Sequence, residues 1–214
     1  MADFYKLYDS ILNGDNTTAA SVTREAVAEG AAPTDLVAKY MVPAMDEVGR
    51  RFERQDCYIP ELMLSARAMK SALEILRPLL NATMEKPAGR IVIGTVQGDL
   101  HDIGKNLVAS MLEGGGFEVL DLGTDVPPEK FVDAVKSRQA NVVALSALLT
   151  TTMPAMQKTI QALKTAGVRE QVKVIVGGPP LNPEYAKQIG ADGYGESAPT
   201  AVALVRELGV YTRH

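Results

Sequence analysis

The hydrophobic pattern changes period once along the chain. Up to about residue 83, apolar positions recur every three or four residues, as in Leu36, Val37, Tyr40, Met41 and again in Leu62, Met63, Ala66, Met69. That spacing marks one face of a helix. It predicts about four short helices in a small antiparallel bundle. Thr34 and Asp35 after Pro33, and Pro60-Glu61 after Ile59, read as helix starts. The last helix is expected from about Pro60 to Leu80. The periodicity then stops, and Asn81 to Gly89 reads as a linker, with a natural hinge at Glu85–Gly89.

After Gly89 strand-like and helix-like runs alternate. Strands are expected at Ile91–Val96, Phe117–Leu122, Val142–Ser146, Val172–Val176 and Asp192–Gly195. Helices are expected at Gly104–Glu113, Pro128–Arg138, Pro154–Ala166, Pro183–Ile189 and Pro199–Leu208. Continuous apolar runs such as Val142-Val143-Ala144-Leu145 suit strands buried on both faces, as in parallel sheets. Gly114-Gly115-Gly116 ends the first of these helices, where left-handed backbone is needed. The fold class is therefore α/β: a helical bundle over residues 1–87, then a five-stranded, parallel, Rossmann-like (flavodoxin-like) domain over 88–214. Strand order 2-1-3-4-5 places the ends of strands one, three and four side by side.

Composition narrows the function. A net charge of −4 over 214 residues carries no basic patch, so neither nucleic acid nor an anionic membrane is expected as partner. No apolar run approaches the ~18 residues of a membrane span. The first residues lack the basic-then-apolar order of a signal peptide. One cysteine, Cys57, permits no intrachain disulfide. A cytoplasmic protein is the expectation. Tryptophan is absent and aromatic residues are few, which argues against a carbohydrate or single-strand nucleic-acid binder.

Three loops at strand ends carry the candidate chemistry: Gly98-Asp99-Leu100-His101-Asp102-Ile103-Gly104, Ser146 to Thr152, and Gly177-Gly178-Pro179-Pro180. His101 is the sole histidine apart from the last residue. Its reading stays open three ways at this point. It could pack at a helix start with Asp99 as cap. It could act in acid–base catalysis, although no second catalytic group is obvious beside it. It could ligate a metal, with Asp99 accepting from its other ring nitrogen. One histidine without cysteines cannot hold zinc, which wants four ligands. A metal bound through a single protein atom must bring its other ligands, as in a macrocycle.

Taken together, Asp99-x-His101-x-x-Gly104, Ser146-x-Leu148 and Gly177-Gly178 resemble the cobalamin-binding fingerprint of methionine synthase and its relatives. The resemblance extends over nearly the whole chain. It implies a corrinoid whose nucleotide tail leaves cobalt and enters the domain, with His101 as lower axial ligand. It implies that Asp99 and Thr152 form a relay behind His101. Gly98, Leu100, Asp102 and Gly104 would lie against the tail, Ser146 and Thr150 near its buried base, and Gly177, Gly178 and Ala198 near its nucleotide loop. The helical part resembles the cap over the upper corrin face, with Phe52 and Ile59 at the apolar capping positions. Bundle core is the competing reading for those two.

No homocysteine, folate or activation domain is expected beside these two parts. What remains resembles the small corrinoid proteins that work with methanol, methylamines, methylated betaines or methoxylated aromatics. The resemblance then implies a methyl carrier that accepts a methyl group on Co(I) from a substrate-specific methyltransferase. A second methyltransferase, acting on tetrahydrofolate or a thiol, would take it from methyl-Co(III), with a reductive activase as further partner. Such a chain is not expected to be catalytic alone. Alternatives are a cobalamin-dependent sensor or regulator, the cobalamin subunit of a mutase, and a flavodoxin-like module without metal.

Overall fold

The computed structural model describes residues 3–82 and 89–209, with the backbone alone for Asn81 and Ala82. The expected hinge at Glu85–Gly89, apart from Gly89, and the boundary between 87 and 88 fall outside these residues. The chain forms two compact units, Met1–Lys86 with Glu113–Gly116, and Pro87–Leu112 with Phe117–His214.

In the helical unit, α1 (Phe4–Leu12) and α2 (Asn16–Ala28) start on aspartates whose carboxylates accept the free N–H groups of the first turn: Asp3 from Tyr5 and Asp15 from Thr18. α3 (Pro33–Leu36) runs without a break through a π turn, Val37–Met41, into α4 (Val42–Glu53). The π turn directly precedes Pro43, which has no N–H and whose ring would collide with the carbonyl four residues back. Widening the helix there is one way to accommodate a proline inside a helical run. α5 (Ile59–Ala82) is the longest helix. Its buried Leu62, Met69 and Leu76 join Leu7, Ile11, Leu36, Met41 and Met45 in the core.

The second unit is the expected α/β fold. Its parallel sheet has order β2-β1-β3-β4-β5, from β1 (Arg90–Thr95), β2 (Glu118–Asp121), β3 (Val142–Ser146), β4 (Lys173–Gly177) and β5 (Gly193–Gly195). Between and after the strands run α6 (Ile103–Gly114), α7 (Pro128–Arg138), α8 (Met153–Thr165), α9 (Pro183–Ile189) and α10 (Ala198–Glu207). Val92, Val143 and Val174 point to one face, into a core with Phe131 of α7, Ile160 of α8 and Ile189 of α9. Ile91, Ile93 and Ile175 alternate to the other. A turn of 3-10 helix, Arg169–Gln171, precedes β4 and was not expected. Of the three glycines closing α6, Gly116 takes the left-handed backbone at φ +87°, and Gly114 is still helical.

Strand register lines up the loops that leave the sheet. Thr95 pairs with Ser146, Ser146 with Gly177, and Gly177 with Gly195. Four strands thus end level, on small residues, at the carboxyl edge where open α/β sheets bind ligands.

Candidate functional site

The chain leaves β1 through a tight turn in which Gly98 takes φ +85°, a conformation strained for any side chain. Asp99 comes next and is fully buried. Its Oδ2 accepts the N–H of Leu148 at 2.8 Å, the N–H of Leu149 at 3.3 Å and the hydroxyl of Thr152 at 2.8 Å. Its Oδ1 faces the N–H of His101 at 3.1 Å and His101 Nδ1 at 2.8 Å. Burial pushes the Asp99 carboxyl pKa up. The hydrogen bonds from Leu148, His101 and Thr152 outweigh it and hold the group well below the usual carboxylate range. Asp99 is therefore not a helix cap. It ties the loop after β1 to the loop after β3.

An ionised carboxylate only accepts, so the proton between Asp99 and His101 sits on Nδ1. That leaves the Nε2 lone pair free, on a side chain 52% exposed. The loop is pinned again where the buried Thr95 hydroxyl donates to the His101 carbonyl at 2.8 Å. Thr152 stands at the N-cap of α8 but makes no capping bond. Its single hydroxyl proton has Asp99 Oδ2 and the Leu149 carbonyl within reach, at 2.8 and 2.9 Å.

The surroundings of His101 are apolar and open. Among the described residues of the α/β unit, the exposed large hydrophobic side chains are Leu100, Ile103, Leu148 and Leu149, which stand in the loops after β1 and β3 and at the first residue of α6. Such a patch on a soluble domain marks a ligand or a partner. A side chain at Gly104 would meet nothing within 4 Å.

The remaining expected residues divide between the two units. Asp102 is exposed and accepts from Asn106 Nδ2 at 3.1 Å. Ser146 closes β3, and Thr150 is exposed in the loop beyond it. Ala198 is buried at the start of α10, behind the Ser197 cap. Gly178 turns out to be demanded by the protein itself, and Gly177 sits in a tight place. A Cβ on Gly178 would lie 1.9 Å from the Ala147 carbonyl oxygen, and one on Gly177 3.0 Å from that of Gly195. Phe52 is half-buried in α4 and Ile59 is 47% exposed at the start of α5, so Ile59 is not bundle core. Both belong to the helical unit and take no part in the Asp99 network. Burial, and then the nearby Glu61, push the Cys57 thiol up from its ordinary range.

Sequence reasoning missed Thr95, Ile103 and Leu149. Ile103 stands between His101 and Gly104 and could have been flagged as an apolar residue on a loop. The Leu149 contribution is a backbone N–H, which no side-chain pattern reveals.

Residues 89–203 match the B12 binding domain family, and residues 4–77 match a second family of the same description. The chain belongs to the B12-binding family. This B12-binding chain is 43% identical over 205 residues to trimethylamine corrinoid protein 1 of Methanosarcina acetivorans, across 95% of both chains. It matches a solved cobalamin-binding protein from Desulfitobacterium hafniense with a TM-score of 0.78 and 33% identity, over 97% of this chain and 98% of that one. It matches the methanol:cobalamin methyltransferase complex of Methanosarcina barkeri with a TM-score of 0.85 and 30% identity, over 96% of this chain and 78% of that one.

The cofactor is a corrinoid, and the site fits one. No group of three or more His, Cys, Asp or Glu side chains that could hold a metal occurs among the described residues. His101 Nε2 alone suits a metal whose remaining ligands come with a macrocycle. The apolar rim suits a large, partly apolar ring. No described helix is long and apolar enough to cross a membrane.

Proposed function

We propose that this chain is a corrinoid methyl carrier of a multi-component methyltransferase system and holds no complete active site of its own. The observation that carries this reading is His101, presented through Nε2 with Nδ1 fixed by a buried, hydrogen-bonded carboxylate inside an apolar rim. Cobalt in the bound corrin supplies the methyl-accepting and methyl-donating chemistry.

The residues supply geometry and proton control. His101 would hold the cobalt through Nε2. Asp99 holds the proton on Nδ1, which makes Nε2 a better donor, and the Thr152 hydroxyl steadies Asp99 from behind. Leu100, Ile103, Leu148 and Leu149 exclude water around the imidazole. Gly98, Asp102 and Gly104 leave room for the nucleotide tail, which Ser146, Thr150, Gly177, Gly178 and Ala198 accompany inward. Phe52 and Ile59, in the helical unit, would offer apolar side chains to the cofactor. A substrate-specific methyltransferase supplies the methyl group, and kinship with a trimethylamine corrinoid protein favours one specific for a methylated amine. A second methyltransferase, using tetrahydrofolate or a thiol, removes it, and a reductive activase restores carriers that oxidise. The cytoplasm is the compartment that suits these partners.

The test is the ultraviolet–visible spectrum of the purified chain after reconstitution with hydroxocobalamin, beside His101→Ala. The intact protein should retain one corrinoid per chain, and the variant should hold less with an altered spectrum. No retained corrinoid in the intact protein, or identical spectra, would overturn the assignment.

A further inference from the structure

We propose that Asp125 is a positioning residue for the His101 loop, acting through Gly98 and Asp99. This rests on the reading that His101 ligates a corrinoid cobalt. The Asp99 side chain is gripped from the β3 side, by Leu148, Leu149 and Thr152. The Asp99 N–H donates to the Val96 carbonyl at 3.1 Å, but nothing in that grip holds the Gly98 N–H or the Asp99 carbonyl, the peptide groups on either side of the Gly98–Asp99 pair, and the direction of the whole loop depends on them.

Asp125 supplies that restraint from the β2 side. Its Oδ1 accepts the Gly98 N–H at 2.7 Å, and its own N–H donates to the Asp99 carbonyl at 2.9 Å. One residue therefore brackets the two-residue turn that aims Asp99 at Leu148 and His101. It does so from a strained backbone, φ +52°. The other non-glycine residues with positive φ among those described, Gln55 and Gln139, stand just past the ends of α4 and α7, where such a conformation closes a helix. Asp125 ends no helix, since α7 begins three residues later at Pro128. Strain without a capping role points to a functional constraint.

The platform beneath Asp125 is rigid. The Thr95 N–H donates to the Gly123 carbonyl at 2.9 Å, and the Val126 N–H donates to the Thr95 carbonyl at 3.0 Å. Asp121 Oδ1 accepts the Gly123 N–H at 2.8 Å, and its Oδ2 holds the buried ammonium of Lys105. The loop that carries Asp125 is thus fastened to β1, the strand that delivers His101. Asp125 itself is exposed and makes no contribution to the core.

Two substitutions separate the hydrogen bond from the strain. Asp125→Gly keeps the left-handed backbone and removes the acceptor. Asp125→Asn keeps an acceptor oxygen and tolerates the backbone. Hydrogen exchange at the Gly98 amide is read without corrinoid. The dissociation constant for hydroxocobalamin, and the nitrogen splitting from an axial imidazole in the electron paramagnetic resonance of the Co(II)-loaded protein, are read with it. Asp125→Gly should speed Gly98 exchange at least about tenfold, weaken corrinoid binding about tenfold and reduce the nitrogen-split signal, while Asp125→Asn stays within about twofold of wild type. Wild-type behaviour of Asp125→Gly in both exchange and binding would overturn the proposal, as would an Asn variant as impaired as the Gly variant. If the wild type takes up no corrinoid, the carrier reading fails instead, and Gly98 exchange still decides whether Asp125 holds the loop.

Discussion

The two units both leave apolar side chains in water, with different company. In the helical unit Tyr58, Ile59, Met63 and Leu64 are exposed around the start of α5, and the nearby charges form surface pairs, Glu47 with Arg50, Arg51 and Arg54. Pairs of that kind contribute little and fix no geometry. In the α/β unit the exposed apolar residues surround a buried carboxylate whose oxygens are met by three backbone N–H groups, a hydroxyl and an imidazole nitrogen. The difference is a division of labour. One unit exposes apolar side chains without a fixed polar frame, and the other holds a single nitrogen in a fixed direction.

Glycine substitutions should show the largest contrast. Gly178→Ala forces a Cβ to 1.9 Å from the Ala147 carbonyl oxygen at φ +136°, where the backbone itself must move. Its cost should exceed about 4 kcal/mol in chemical denaturation or prevent folding of the α/β unit. Gly30→Ala in the helical unit, at φ +83° with nothing within 4 Å, should lose about 1 kcal/mol. Equal costs would break the contrast.

Asp99→Ala comes next. It strands the Leu148 and Leu149 N–H groups and the Thr152 hydroxyl, and should cost about 2–3 kcal/mol by urea titration. The same carboxylate gives acid sensitivity of defined sign. Its folded pKa lies below its unfolded value of about 3.9, so its contribution is full above that pH and fades as pH falls toward the folded value. Melting temperature should therefore drop between pH 5 and pH 3 by less in Asp99→Asn than in wild type. An equal drop would mean that other carboxylates carry the acid response.

The smallest effect belongs to the helical unit. Ile59→Ser should change stability by less than about 0.5 kcal/mol, because the side chain is already exposed. A loss well above that in thermal melting would place Ile59 in the core after all and erase the distinction between the units.

Much of this was legible from the residues. The period change near residue 83, the strand–helix alternation and the order of the sheet were readable, because burial on one helix face or on both strand faces imposes its own spacing. α7, β3 and α9 match their expected bounds, since Pro128 and Pro183 mark the helix starts and Val142–Ser146 is an unbroken apolar run ended by a polar residue. The edge strand β2 came out shorter than its apolar run. Phe117, expected at the start of that strand, lies just before it and is buried. The π turn before Pro43 was not foreseen, because a helical period does not say how a proline will be absorbed.

The sequence by itself determined that there are two kinds of structure in this chain, that one imidazole stands at a strand end, and which motif surrounds it. Those are local properties, written in side-chain type and spacing. Tertiary structure alone decided that Asp99 is buried and answers to the loop after β3, that Thr152 forgoes its capping bond for that carboxylate, and that Gly178 is required by the Ala147 carbonyl. It also placed Asp125 under Gly98. Each of these joins groups 27 to 53 residues apart, and three rest at least in part on backbone atoms. Every residue type carries the same N–H and C=O, so only the folded register can say which of them meet.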